Sequence, residues 1–344
     1  FVMILLLCTT AQIKGSGWVV LVDNPDHRYF RTQSQEAHMT QSDVAAAMSV
    51  LLGFAPAASH PSISSSKLDA LLTPNPFKRP HAVFMLEARG INQVTLSGLD
   101  FSKFGLESYS QRRLVDESNR TAFDLPENEV MLESLNGISD DDCDVHSVEK
   151  ELLDLALWLG GSYTGGHQPL QGNLSIPLSE ELMTFNLLKG ADQIFAKELI
   201  SLHQNIRRVA AIHEDLAKSS QDTTELLIGS FVGVKALQEY YGNDNIPQQG
   251  LDVFLNVVVK LFHSLRLSYG GQIVGIISIN SNVVPSSDGM FDVKLSSRNS
   301  RWLSELGPFK SSAMSNSTIA EVKLVRRAIA WSTGLILLIA TLVG

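Results

Sequence analysis

Cysteine is nearly missing from this 344-residue sequence, which has Cys8 and Cys143 and no other. Cys8 falls in an apolar, leader-like run. Once that run is removed one thiol remains, and no internal disulfide can form. Stability then has to come from a packed core. Charge is scarce as well, at 18% of residues against ~25% in soluble domains, partly because both ends are apolar. Positive charge is the scarcer sign, with a net charge of −9. That argues against a nucleic-acid partner, because neutralising phosphates needs clustered Lys and Arg.

The motifs of common chemistries are incomplete. Gly160-Gly161-Ser162-Tyr163-Thr164 approaches the GxSxG nucleophile elbow, but Thr164 stands where the last glycine belongs. His213-Glu214 begins HExxH, but Ala217 replaces the second histidine. The glycine-rich run 160–166 fits neither GxxxxGK nor GxGxxG. No cysteine pair is left for zinc in a processed chain. Residues 139–146, SDDDCDVH, offer carboxylates to a hard cation, but without the spacing or the glycine of an EF-hand. They read as a solvated acidic loop. His203 and His213, on or near a helix stripe, read as packing or surface residues. No catalytic residue, cofactor or metal site is expected.

What the sequence does have is an apolar run at each end. Residues 328–344, AIAWSTGLILLIATLVG, carry no charge and no proline, and follow Arg326 and Arg327. As a helix, 328–343 would be roughly 24 Å long at ~1.5 Å per residue, short of a hydrocarbon core about 30 Å thick. The expectation is a membrane helix over 325–344, cut short where the given sequence stops. The alternative is a buried core helix; the lack of any strongly polar face disfavours a surface position. Residues 1–10, FVMILLLCTT, read as the apolar centre of a secretory signal over 1–16 whose basic leader is missing. Three Asn-X-Ser/Thr sequons, at Asn119, Asn173 and Asn316, lie between the two runs and predict a glycosylated lumenal body. The order is that of a type I membrane protein: signal, lumenal domain over 17–280, stalk over 281–324, membrane helix. Arg326 and Arg327 then stand on the lumenal side, against the positive-inside rule. A cleaved signal fixes orientation before that rule acts.

Within the body, the spacing predicts strands at 18–22, 82–88, 129–135 and 273–279. A short helix is expected within 44–55 and another over 151–159, broken by the glycine-rich loop. From Leu188, apolar residues recur in steps of three and four through Ala191, Phe195, Leu199, Leu202, Ile206, Val209, Ile212 and Leu216. A second helix is read from Leu227, Val234, Leu237 and Tyr241. A third is read from Leu251, Phe254, Val258, Leu261 and Leu265. With glycine stops and short links, these should form an antiparallel three-helix block. Strands on both sides of the block predict one mixed α/β domain. The Ser- and Asn-rich stretch after 281 reads as the stalk, with Arg298-Asn299-Ser300-Arg301 as an RxxR site for basic-site secretory proteases.

Several short motifs carry a family resemblance. Phe77-x-Arg79-Pro80-x-Ala82, then Met85, Gly90 and Asn92, resemble the N-terminal signature of the vacuolar proton-pump (V-ATPase) accessory subunit 2, or (pro)renin receptor, family. Leu202-His203, Leu216-Ala217-Lys218, Tyr241-Gly242 and Tyr269-Gly270-Gly271 follow in the family's order, as do stalk, RxxR and membrane helix. The Ser-rich insertions are similar to a plant branch. The resemblance implies a non-catalytic type I protein of the endoplasmic reticulum, Golgi and vacuole that assists pump assembly. It implies a helix packed within the ring of proton-carrying subunits, processing at Arg298 and Arg301, and no cofactor. Small residues Ala328, Ala330, Ser332, Gly334 and Ala340 would then be ring contacts. Renin binding is not implied by these residues. Two other readings compete: a lumenal cargo or signalling receptor, which needs a large surface patch, and a membrane-anchored lumenal hydrolase. The hydrolase would bring Ser162, His167 or His203 together with an acid.

Overall fold

Three of the four strands read from apolar residues, at 18–22, 82–88 and 273–279, lie at the centre of a seven-stranded sheet, and the fourth, at 129–135, forms its edge. The computed structural model describes residues 15–25, 28–31, 38–55, 65–73, 79–92, 95–96, 99–115, 121–137, 145–165, 170–178, 181–218, 223–242, 244–281 and 291–296. Strand β1 is Gly15–Val22, β2 His38–Thr40, β3 Ala82–Ala88 and β4 Tyr109–Val115. Strands β5 (Thr121–Pro126) and β6 (Val130–Ser134) follow, then β7 (Ser162–Gly165), β8 (Gly172–Leu178) and β9 (Glu181–Asn186). The last three are β10 (Thr224–Phe231), β11 (Ile273–Asn280) and β12 (Phe291–Ser296). The helices are α1 (Gln41–Leu51), α2 (Ser65–Leu71), α3 (Val145–Leu159), α4 (Gly190–Lys218), α5 (Gly233–Tyr241) and α6 (Ile246–Ser268), with a 3₁₀ turn at Phe101–Phe104.

The main sheet has the order β2-β4-β1-β11-β3-β10-β6. Strands β11, β3, β10 and β6 are mutually parallel, β1 is antiparallel to both β11 and β4, and β2 is parallel to β4. Among these strands β1 alone therefore runs against the rest. Every residue of β3 and β11 is buried, as expected for strands covered on both faces. One face packs on α3, α4, α5 and α6 through Phe84, Leu86, Leu227, Phe231 and Ile277. The other packs on α1, α2 and the parallel pair β5–β12 through Val83, Met85, Leu226 and Ile276. Helix α1 begins at a capping box, with Thr40 accepting from the Asp43 N–H and Asp43 accepting from the Thr40 N–H.

A separate antiparallel sheet, β7-β8-β9, lies against α3 and α6. A row of rings ties it to the main sheet. Phe185 stacks on Phe195 at 4.7 Å, Phe195 meets Phe231 edge-on at 5.6 Å, and Phe231 stacks on Phe254 at 4.2 Å. Gly233 leaves room for this row, since a Cβ there would lie 2.7 Å from Phe231 and 2.9 Å from Phe195.

The fold is thus mixed α/β, with several corrections of detail. Leu227 belongs to a buried central strand, β10, and the second helix is the short α5 alone. Leu188 lies before α4 and is exposed, whereas Ala191, Phe195, Leu199, Leu202, Ile206 and Val209 are buried as the stripe requires. The glycine-rich run contains the edge strand β7. Within the expected stalk, Phe291–Ser296 pairs with β5 and covers a sheet face. By compactness the chain divides into 1–297 and 298–344, and all described residues fall in the first unit. No helix among the described residues is long and apolar enough to cross a membrane; the expected membrane helix at 325–344 lies outside them.

Candidate functional site

Four parallel strands end side by side, and in open α/β sheets ligands bind outside the carboxyl ends of such strands. After β3 the chain runs through Ile91 and Leu96, after β6 through Leu135, and after β10 through Val234. All four side chains join the core on the same face. The carboxyl ends are therefore left uncovered by these connections on the opposite face. A cavity of about 260 Å³ opens there. Met85, Leu132 and Ile228 form its apolar floor, and Phe291 and Val293 of β12 lie across it.

Its polar wall is built from Glu87, Ser134, Asn136 and Ser230. The strand ladder between β6 and β10 ends at Ser134 and Ile228. Two residues on, the Asn136 side chain replaces the missing strand. Its Oδ1 accepts from the Ser230 N–H at 2.6 Å, and its Nδ2 donates to Ser230 Oγ at 3.2 Å. Arg89 Nη2 donates to the same hydroxyl oxygen at 3.2 Å. Ser134 Oγ accepts from the Asn136 N–H at 3.3 Å. Gly229 permits the arrangement, because a Cβ there would meet Leu135 Cβ at 2.8 Å and Asn136 Oδ1 at 3.4 Å.

The turn that carries Asn136 is held from behind. Leu135 N–H donates to Ile228 O. Asn205, buried on α4, donates to the carbonyls of Leu135 and Gly137 at 3.1 and 2.8 Å, and Ser201 Oγ donates to Gly137 O at 2.8 Å. On the far wall Asn280 Nδ2 donates to Glu87 Oε1 at 3.0 Å, with both side chains buried. Glu198 lies within electrostatic reach of Arg89: burial pushes its carboxyl up, while the Val232 N–H and the Arg89 charge oppose that rise.

The opposite end of the sheet holds a second polar cluster. At the start of β10, Glu225 is 3% exposed. His213 Nδ1 lies 2.7 Å from its Oε1, and the Tyr269 hydroxyl donates to Oε2. The two rings stack at 3.7 Å. Burial, then the hydrogen bond and charge of Glu225, push the Tyr269 hydroxyl up, so it stays protonated and serves as a donor. This cluster joins α4, β10 and the end of α6 across the core, which is a structural task. His203 is different: it is buried against Trp158 at 4.9 Å, and burial followed by the Arg207 charge lowers its pKa to about 4.

Of the residues singled out by sequence, Asn173 is exposed on β8, with Ser175 two positions on and its hydroxyl 3.0 Å from that of Thr184. Ser162 is exposed on β7, paired with Ser175. Among the described hydrogen bonds none joins it to His203. His167, Asn119, Asn316, Arg298, Arg301, Ala328, Ala330, Ser332, Gly334 and Ala340 lie outside the described residues, as does most of the acidic loop. No group of His, Cys, Asp and Glu suited to a metal occurs among the described residues. Sequence reasoning missed the cavity altogether. Its one sequence trace is polar residues closing apolar strands, Glu87, Ser134, Ser230 and Asn280.

These features define a mainly parallel α/β protein with a cleft at the carboxyl ends of its strands. The chain belongs to the family described as Domain of unknown function (DUF7794), whose model matches residues 15–281. Neither the curated proteins nor the solved structures contain a match to it.

Proposed function

We propose that the chain is an accessory and assembly subunit of the vacuolar proton pump's membrane sector. In this reading it is a type I glycoprotein of the endomembrane system. A membrane helix over 325–344 packs against the proton-carrying ring through Ala328, Ala330, Ser332, Gly334 and Ala340. An antiparallel arrangement of α4, α5 and α6 belongs to the same reading, as do glycans on Asn119, Asn173 and Asn316 and processing at Arg298 and Arg301. The body is a handle for assembly, and its role is non-catalytic.

One observation carries the proposal beyond the motif order. The first and last motifs of the body that resemble the accessory-subunit family are far apart in sequence yet adjoin in the fold. Arg79 Nη1 donates to Gly53 O at 3.3 Å and leads into β3, whose Ala82 pairs with Ile273 just beyond Tyr269-Gly270-Gly271. His81 N–H donates to Gln272 O at 2.7 Å across the same junction. Asn92, closing the first motif, accepts Thr95 N–H at 2.8 Å and donates its own N–H to Gln238 Oε1 at 3.1 Å. Motifs that form one structural joint support a shared scaffold better than scattered matches do. The test is purification of the tagged full chain from membranes in mild detergent. Ring subunits of the pump should co-purify; their consistent absence from the eluate sinks the proposal.

A further inference from the structure

The geometry points to the cleft at the carboxyl ends of β3, β6 and β10 as a binding site for a small neutral ligand with a carbonyl oxygen at one end and an apolar body. The inference does not depend on the pump reading. It starts from the hydroxyl of Ser230. A serine oxygen has two lone pairs and one proton. Asn136 Nδ2 and Arg89 Nη2, each at 3.2 Å, occupy the lone pairs. The proton is left to donate, and no described residue is its acceptor. Ser134 adds a second hydroxyl to the wall, with one of its lone pairs taken by the Asn136 N–H at 3.3 Å. The Asn136 amide has a second N–H beyond the one given to Ser230. The Asn136–Ser230 part of the wall therefore presents donors, and it is held in place by Asn205 and Ser201 from behind.

Charge decides between kinds of acceptor. An anion would face the Glu87 carboxylate in the cleft wall. Arg89 reaches the Ser230 hydroxyl at 3.2 Å but is not in the cavity lining, and it has Glu198 within electrostatic reach. Among the described residues that line the cavity there is no Lys or Arg. A cation seated at Ser230 would bring its N–H groups to an oxygen whose lone pairs are filled, beside the Arg89 guanidinium 3.2 Å from it. A neutral carbonyl satisfies the donors and avoids both conflicts. The floor of Met85, Leu132 and Ile228, with Phe291 and Val293 above, suits an aliphatic or aromatic body. At about 260 Å³ the cavity lies just under the ~300–1,000 Å³ that holds drug-sized ligands, so the ligand is small.

The experiment uses three probes built on one phenyl ring, benzamide, benzoate and benzylamine, titrated against the full chain in detergent by ligand-observed NMR. Benzamide should bind saturably, and more tightly than the other two. Ser230→Ala should weaken benzamide about three- to tenfold, the worth of one hydrogen bond. Val293→Trp, which fills the cavity from the other strand layer, should abolish binding. Thermal unfolding reports whether each variant is folded, and two variants from different elements guard against one failing to fold. The inference is overturned if benzamide does not saturate at millimolar concentrations. It is also overturned if benzoate or benzylamine binds as well, or if folded Ser230→Ala or Val293→Trp binds benzamide like the parent.

Discussion

His203 shows what one buried side chain does to the whole stability curve. It is 4% exposed, and its Nδ1 has no hydrogen-bond partner among the described residues. Its pKa of about 4 in the fold compares with 6.5 for a free imidazole. The folded state therefore keeps it neutral, while the unfolded chain takes up a proton below pH 6.5. Stability is unaffected above that value, declines as pH falls through the interval, and stops declining below about pH 4. At pH 4.5 the loss is on the order of 2 kcal/mol. We expect His203→Gln to remove that part of the acid sensitivity. Urea titrations at pH 7 and pH 4.5 would measure it, and equal slopes with pH in both proteins would refute the assignment. Asn173 belongs to the same scale. It stands on the outer face of β8 beside Ser175, accessible to modification. In membranes of a secretory host, Asn173→Gln should remove one increment of endoglycosidase-sensitive mass. An unchanged digestion pattern would leave this sequon empty and weaken the lumenal reading.

At the scale of elements, the row Phe185, Phe195, Phe231 and Phe254 is the main link between the small sheet, α4, β10 and α6. Phe231 is 2% exposed and touches two of the other three. Phe231→Ala should cost about 3–5 kcal/mol, read as a lower denaturant midpoint with unchanged slope. A loss under about 1 kcal/mol would mean the row is slack. The elements also show what sequence could tell. Strands β3 and β11 were readable because burial on both faces makes AVFMLEA and IVGIISI nearly continuous apolar runs. Helix α4 was readable from its stripe. Strand β10 was not: Leu227 lies seven residues before Val234, two helical turns, and so continues the stripe of α5 backwards. Strands β4 and β5, YSQRRLV and TAFDLP, mix charge and bulk without clean alternation. Their strand character comes from neighbours that only the topology supplies. The cleft was illegible for the same reason. Glu87, Asn136 and Ser230 are single ordinary residues from three segments, and the shared strand ends make them one wall.

For the molecule as a whole, the position of its first strand has a consequence in time. Residue Trp18 of β1 pairs on one side with Arg113 of β4 and on the other with Ile279 of β11. The β4 partner leaves the ribosome early. The β11 partner follows Trp18 by some 260 residues, which at ~5–20 residues per second is roughly 13–50 s of synthesis. Throughout that interval one flank of an almost wholly apolar strand, WVVLV, has its backbone donors and acceptors unmet. A strand in that condition is a template for any passing chain. The protein is thus committed, on every round of translation, to a period in which the future middle of its sheet is an open edge. Shielding of that edge until β11 arrives is what keeps the unfinished sheet from pairing with another chain.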